Sequence, residues 1–291
     1  LFRSMWRHAG VCLALLGTWA LQGCSSPQGV AEDQRPCTCK DCPMPSGDVT
    51  SRSTRVGAVE VSNRPRSLTV NPIGDIKVMV EVFVLESGTD KVEVTGQQSV
   101  VDLVRVTESE DGVEIGDVPE KPLVCGGSVR VVYHVFKPLS QIKVLGSGVQ
   151  IRVDQMKASE DYPNTVSISA EGGKVAVGTV DALMHHFSLW ASAGAFVAVD
   201  GGMAQTTLVR ARDSGTVVDT SRVMSAEGTI NVWENAVVLG LKAEELQIKC
   251  SSAGRVAAVA GLTAEVECDQ CESAEVRGPG ALAAATCPAL I

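Results

Sequence analysis

The sequence predicts an all-β chain wound as a right-handed parallel β-helix with coils of about 20 residues. Three observations carry that prediction. From Val56 onward, apolar and polar residues alternate with the period of a strand. Small-residue corners recur between the alternating runs at a near-constant spacing. Aromatics are only 4% of the 291 residues, so a core must be built by repeating small side chains instead of packing a few large rings. The alternative is an antiparallel β-sandwich, whose turns would come every 8–12 residues or so without a shared face at double that spacing.

The first element is an address. Residues 1–23 run from a short basic stretch, Met5-Trp-Arg-His-Ala-Gly10, through the apolar Val11–Ala20 to Leu21-Gln-Gly-Cys24. A spanning helix needs about 20 apolar residues, so this order is that of a secretory signal peptide. The Leu-x-Gly-Cys ending resembles a bacterial lipobox, which makes Cys24 the expected lipidation site. An ordinary signal peptide cut near Ala20 is the other reading, and the true start is either Leu1 or Met5. Processing removes Arg3 and Arg7 and leaves an acidic body, so membrane attachment would come from acyl chains such as palmitate and not from charge.

Residues 24–55 read as a disordered tether. They hold Pro27, Pro36, Pro43 and Pro45 with Gly, Ser and mixed charge, and show no apolar periodicity. Cys37-Thr-Cys-Lys-Asp-Cys42 could be a metal clip or redox cluster, but no His follows nearby and zinc wants a second ligand pair. Disulfides in an oxidising envelope are the expectation.

Residues 56–280 form the repeat, and 281–291 a C-terminal tail. Asp75–Val84, Lys91–Gly96, Val100–Val106 and Val113–Val118 read as strands between Gly, Ser, Asp and Pro turns. The one helix-like patch, Gly240–Ile248 ("GLKAEELQI"), reads equally well as a turn feeding a strand. From Gln141 the corners fall at Gly148, Gly173, Gly194, Gly215, Asn235, Gly254 and Cys271. The glycines mark places where the chain turns with positive φ, and Asn235 stands in as the next-best left-handed residue. One such coil cannot bury enough to fold alone; only stacked copies share backbone hydrogen bonds and a continuous core.

At "KVLGSGVQIRV" (143–153) the chain resembles the auto-transporter adhesin head GIN domain family. "GDIKVMVEVFVLESGTDKVEVTG", "VDLVRVTESEDGVEI" and the repeated Ser-Ala-Gly and Asp-Ser-Gly corners carry the same likeness over roughly residues 56–280. The resemblance implies a β-helical fold, an envelope location and an adhesin role, and it brings no catalytic residues.

The residues offer little chemistry of their own. Stacking places Cys250 and Cys268, each ending the strand before a corner, at bridging distance, so a Cys250–Cys268 staple or direct stacking is expected. Cys268-Asp-Gln-Cys271 could be a redox pair, but no helix follows it. His185-His186 could bind a metal, though a loop entering a strand is the plainer reading. Asp213, Asp219 and Glu227, with Arg210 and Arg212, could form the acid cluster of a polysaccharide-cleaving β-helix; catalysis would need them on one face. The expectation is no enzyme, no metal and no cofactor. A net charge of −9 without a basic face excludes nucleic acid as partner. The sequence therefore points to a lipid-anchored envelope protein, at the outer membrane or cell surface, carrying a binding or adhesion module for a protein or glycan. A structural envelope protein without a ligand is the second reading, and a carbohydrate-active enzyme the third.

Overall fold

A computed structural model describes residues 43–56, 66–85, 89–109, 112–119, 124–158 and 165–280. The expected lipidation site Cys24, the Cys37–Cys42 cluster and the 281–291 tail lie outside the described residues. Within them the chain is a β-solenoid of about six turns with coils of about 21 residues.

Most coils present two strand runs. One sheet stacks β8 (Gln141–Leu145), β10 (Thr165–Glu171) and the second halves of β11 (Lys174–Ser192), β13 (Gly202–Ala211), β15 (Val223–Val232), β16 (Val237–Ser251) and β17 (Arg255–Asp269). The other stacks β9 (Val149–Lys157), the first half of β11, β12 (Phe196–Val199), β14 (Val217–Asp219), the first halves of β16 and β17, and β18 (Ser273–Arg277). All these pairings are parallel. The alternation in the sequence sets the register, because a slip of one residue would turn every apolar side chain outward. Thus Ile142, Ile168, Leu189, Val209, Ile230, Ile248 and Val266 lie one above another inside the first sheet. Ile151, Val175, Val197, Val218, Val238 and Val256 do the same inside the second. Each such side chain contributes about 1.5–3 kcal/mol when fully buried. The "GLKAEELQI" segment is strand, inside β16.

The N-terminal part departs from simple winding. The first coil, β2 (Ser67–Val70) and β3 (Lys77–Val84), leads into β4 (Lys91–Gln97), a four-residue helix α1 (Gln98–Val101), and β5 (Val104–Ser109). Then β6 (Gly112–Asp117) and β7 (Ser128–Val135) return as a second coil. The β2–β3 coil is held between them and the next, since β2 pairs with both β6 and β8, and β3 with both β7 and β9. Antiparallel strands close this end: β5 on β6, β4 on β7, and β1 (Val49–Arg55) on β4.

Two expectations are corrected here. The tether does not reach residue 55, because Val49–Arg55 is strand β1 in register with Lys91–Gln97. Its sequence, "VTSRSTR", hides no face, so it lacks the alternation that marks the other strands; it is a polar edge of the kind that discourages further strand addition. The expected strand at Val100–Val106 begins only at Val104, after the turn of α1 buries Val100 and Val101 under the cap.

The corners also need correction. Gly194 and Gly215 take φ of 74° and 83° and stack on adjacent coils, and Asn235 follows at 62°. Gly173 shares the left-handed region with its neighbour Gly172. Gly148 and Gly254 do not turn the chain. The positive-φ residues at those corners are Gly146, and Ser252 with Ala253. Gly254 is required by packing instead, since a Cβ there would meet Val232 at 2.8 Å.

The Cys250–Cys268 staple is replaced by another. The two residues are register partners, but Cys250 bonds Cys271, with Cα atoms 5.4 Å apart. Cys250 and Cys271 both point into the core, at 2% and 6% exposure, whereas Cys268 is only partly buried. The left-handed Gln270 bends the chain so that Cys271 returns toward Cys250. The Cys268-x-x-Cys271 pair is therefore not a dithiol couple.

Candidate binding face

The outward residues of the first sheet form three ladders. His186, Thr206, Glu227, Glu245 and Thr263 make one; Ser188, Leu208, Thr229, Gln247 and Glu265 the next; Trp190, Arg210, Asn231, Lys249 and Glu267 the third. Strand spacing sets successive rungs about 4.8 Å apart, and alternate residues along each strand about 6.6 Å apart. Any extended ligand lying on this face meets a regular grid of side chains, polar but for Trp190 and Leu208.

Two shallow hollows open on the same face. One, of about 340 Å³, is lined by Glu227, Thr229, Glu245, Gln247, Thr263 and Glu265 among others. The second, of about 420 Å³, lies toward the N-terminal end among Ser67, Thr69, Gln141, Lys143, Ser167 and Ser169. The first is lined by three carboxylates without a cation, the second by hydroxyls and one lysine.

An aromatic edge flanks the third ladder. The Arg212 guanidinium lies 5.6 Å from the Trp190 ring centre, a cation–π contact, and its Nε is 3.6 Å from Asp213 Oδ2. Trp233 follows on the next coil, its amide donating to Ala211 O at 3.0 Å. Asp213 accepts a hydrogen bond from the Ala193 amide at 2.9 Å. That amide, then Glu234 and Arg212, hold the Asp213 carboxyl below the usual carboxylate range. The corner is thus a fixed anion beside a cation, with the half-exposed Trp190 indole against that cation.

The residues singled out for catalysis are not brought together. Asp213 sits at the corner, Asp219 on the second sheet where it accepts from Ser221 N at 3.0 Å, and Glu227 on the first sheet. His185 and His186 fall where β11 bulges between Ala182 and His186, and His186 Nδ1 contacts Thr206 Oγ1. Among the described residues no three His, Cys, Asp or Glu side chains converge as a metal site. Glu245, Glu265 and Trp233 line the face although nothing in their local sequence marks them. Their only signal is stacking, 18 residues from Glu227 to Glu245 and from Gln247 to Glu265.

No family model and no curated protein matches this chain. Solved structures do. One from Bacteroides fragilis, described as a "putative adhesin", superimposes with a TM-score of 0.57 at 12% identity, over 81% of this chain and 99% of its own. One from Parabacteroides distasonis, described in the same words, gives 0.54 at 13% identity, over 82% and 100%. A second from that organism, described as a "putative lipid binding protein", gives 0.50 at 12%, over 81% and 96%. The likeness is one of fold. Both descriptions occur on one architecture, so the solenoid alone does not select a ligand.

Proposed function

We propose that this chain is a lipid-anchored envelope protein that presents the outward face of its first sheet as a non-catalytic binding surface for adhesion. The observation that carries this reading is the gathering of the grid, both hollows and the Trp190–Arg212 edge on a single face. The Leu21-Gln-Gly-Cys24 leader, the resemblance to the adhesin head GIN domain family and the fold shared with structures described as adhesins support it. The separation of Asp213, Asp219 and Glu227 supports the non-catalytic part. The ligand class that suits the face is an extended glycan or peptide, because recognition elements repeat along it and no deep pocket is needed.

The test is protease shaving of intact cells, followed by binding of the purified chain to immobilised glycans and matrix proteins. Surface exposure and a saturable ligand are expected. Trp190→Ala should weaken binding roughly 30-fold, the cost of losing an aromatic hot spot of about 2 kcal/mol. Full protection from protease together with Trp190→Ala binding unchanged would favour a ligand-free envelope scaffold instead.

A further inference from the structure

The outward face of the first sheet is divided by charge. In the three ladders the acids are Glu227, Glu245, Glu265 and Glu267, all from β15 onward. Toward the N-terminus the second and third ladders continue through Ser167 and Ser169, then Gln141 and Lys143, then Ser67 and Thr69. From β2 to β16 these two columns hold no carboxylate. They hold hydroxyls, amides, Leu208, Trp190 and the cations Lys143, Arg210 and Lys249. Glu114, held by Asn71 at 2.6 Å, closes the track at one end, and Glu265 and Glu267 close it at the other. The chain as a whole carries a net charge of −9, so this strip has the opposite sign to the body that bears it.

Two of the cations are unspent. Lys249 Nζ lies 3.0 Å from Glu267, and Arg212 beside the track is held by Asp213 and the Trp190 ring. Lys143 and Arg210 are exposed and enter no ion pair among the described residues. Rungs about 4.8 Å apart put them about 14 Å from each other, with Trp190 between them and one rung from Arg210. The hollow of about 420 Å³ opens on the same track, and Lys143 is its one charged residue.

The surroundings choose among polyanions. Parallel pairing consumes the backbone groups of these strands, so an acidic peptide finds no sheet edge to extend here. A nucleic acid wants a broad basic face, whereas this track is two columns wide with Glu171 and Glu227 on its flanks. A sugar strand is narrow enough. The indole offers a pyranose ring a flat apolar partner, and the serines, threonines and amides around it can both donate to and accept from sugar hydroxyls.

We infer that the track from Lys143 to Arg210 is a subsite for a linear acidic glycan. One sugar ring lies against Trp190, and carboxylate or sulfate groups of the strand pair with Lys143 and Arg210. This rests on the binding-face reading above and gives it a ligand class.

The full chain is titrated with polygalacturonate, dextran sulfate, neutral dextran and polyglutamate at low and at physiological salt. Saturable binding to polygalacturonate or dextran sulfate is expected, weakening as salt rises. Lys143→Gln and Arg210→Gln should each lower that affinity about 10-fold, the loss of one charge-assisted hydrogen bond. Lys174→Gln, on the outward face of the second sheet, should leave it unchanged. Neutral dextran or polyglutamate bound as tightly as the acidic glycans would overturn the inference, as would Lys143→Gln and Arg210→Gln binding like the parent. If Trp190→Ala still weakens binding in those cases, the face reading stands without its acidic ligand. A bound ligand indifferent to all three variants would remove the face reading as well.

Discussion

Asp90 is a charged residue at 6% exposure, and its oxygens are all engaged. Arg66 Nη1 lies 2.7 Å from Oδ2, the Tyr133 hydroxyl 3.3 Å from the same oxygen, and Phe136 N donates to Oδ1 at 2.8 Å. Removing one partner of such a group strands the others, so Asp90→Ala should cost about 3–5 kcal/mol, read from the urea midpoint. Burial pushes the Tyr133 phenol far above its ordinary value of 10.0, and the Asp90 charge adds to the shift while Arg66 opposes it. The folded chain therefore keeps a proton that the unfolded chain loses as pH rises past about 10. Stability should fall there by about 1.4 kcal/mol per pH unit from this group. Tyr133→Phe should flatten that slope in denaturation curves between pH 9 and 11. A slope unchanged from the parent would show that the phenol ionises equally in both states.

The corner is the element on which the winding depends. Glu234 and Asn235 sit in the left-handed region, as do Ala193 with Gly194 and Ser252 with Ala253. Asn235→Val should cost about 1–3 kcal/mol, since a β-branched residue resists positive φ, while Asn235→Gly should be near neutral. Thermal midpoints of the two variants measure the difference. Replacing Cys250 and Cys271 together by Ala should lower stability by about 2–4 kcal/mol in the same assay. Gly194, Gly215 and Asn235 were legible because a turn residue with no better use announces itself. Gly254 was misleading because it is small for packing and leaves the turn to Ser252 and Ala253, which carry no turn signature. The Cys250–Cys271 bond was hidden because register makes Cys268 the stacked neighbour of Cys250, and only the left-handed turn at Gln270 brings Cys271 back to it.

Across the molecule, period-two alternation gave the buried ladders, and the recurring corners gave the solenoid and its coil length. The cap was not legible. Strand β1 is polar on both sides, and the pairings of β1 with β4 and of β4 with β7 join residues more than 30 apart with antiparallel geometry, so no repeat advertises them. The candidate binding face shares this difficulty: Glu227, Glu245 and Glu265 become neighbours only once the coils are stacked. The placement of β2–β3 between β6–β7 and β8–β9 bears on how such a chain matures as it emerges from the ribosome. Its earliest winding keeps one flank vacant until β7 ends at Val135 and the other until β9 ends at Lys157, so the winding made first waits on two later ones before both its edges are paired. Chaperone holding of the nascent chain would matter most over that interval, after which each new turn finds a finished template.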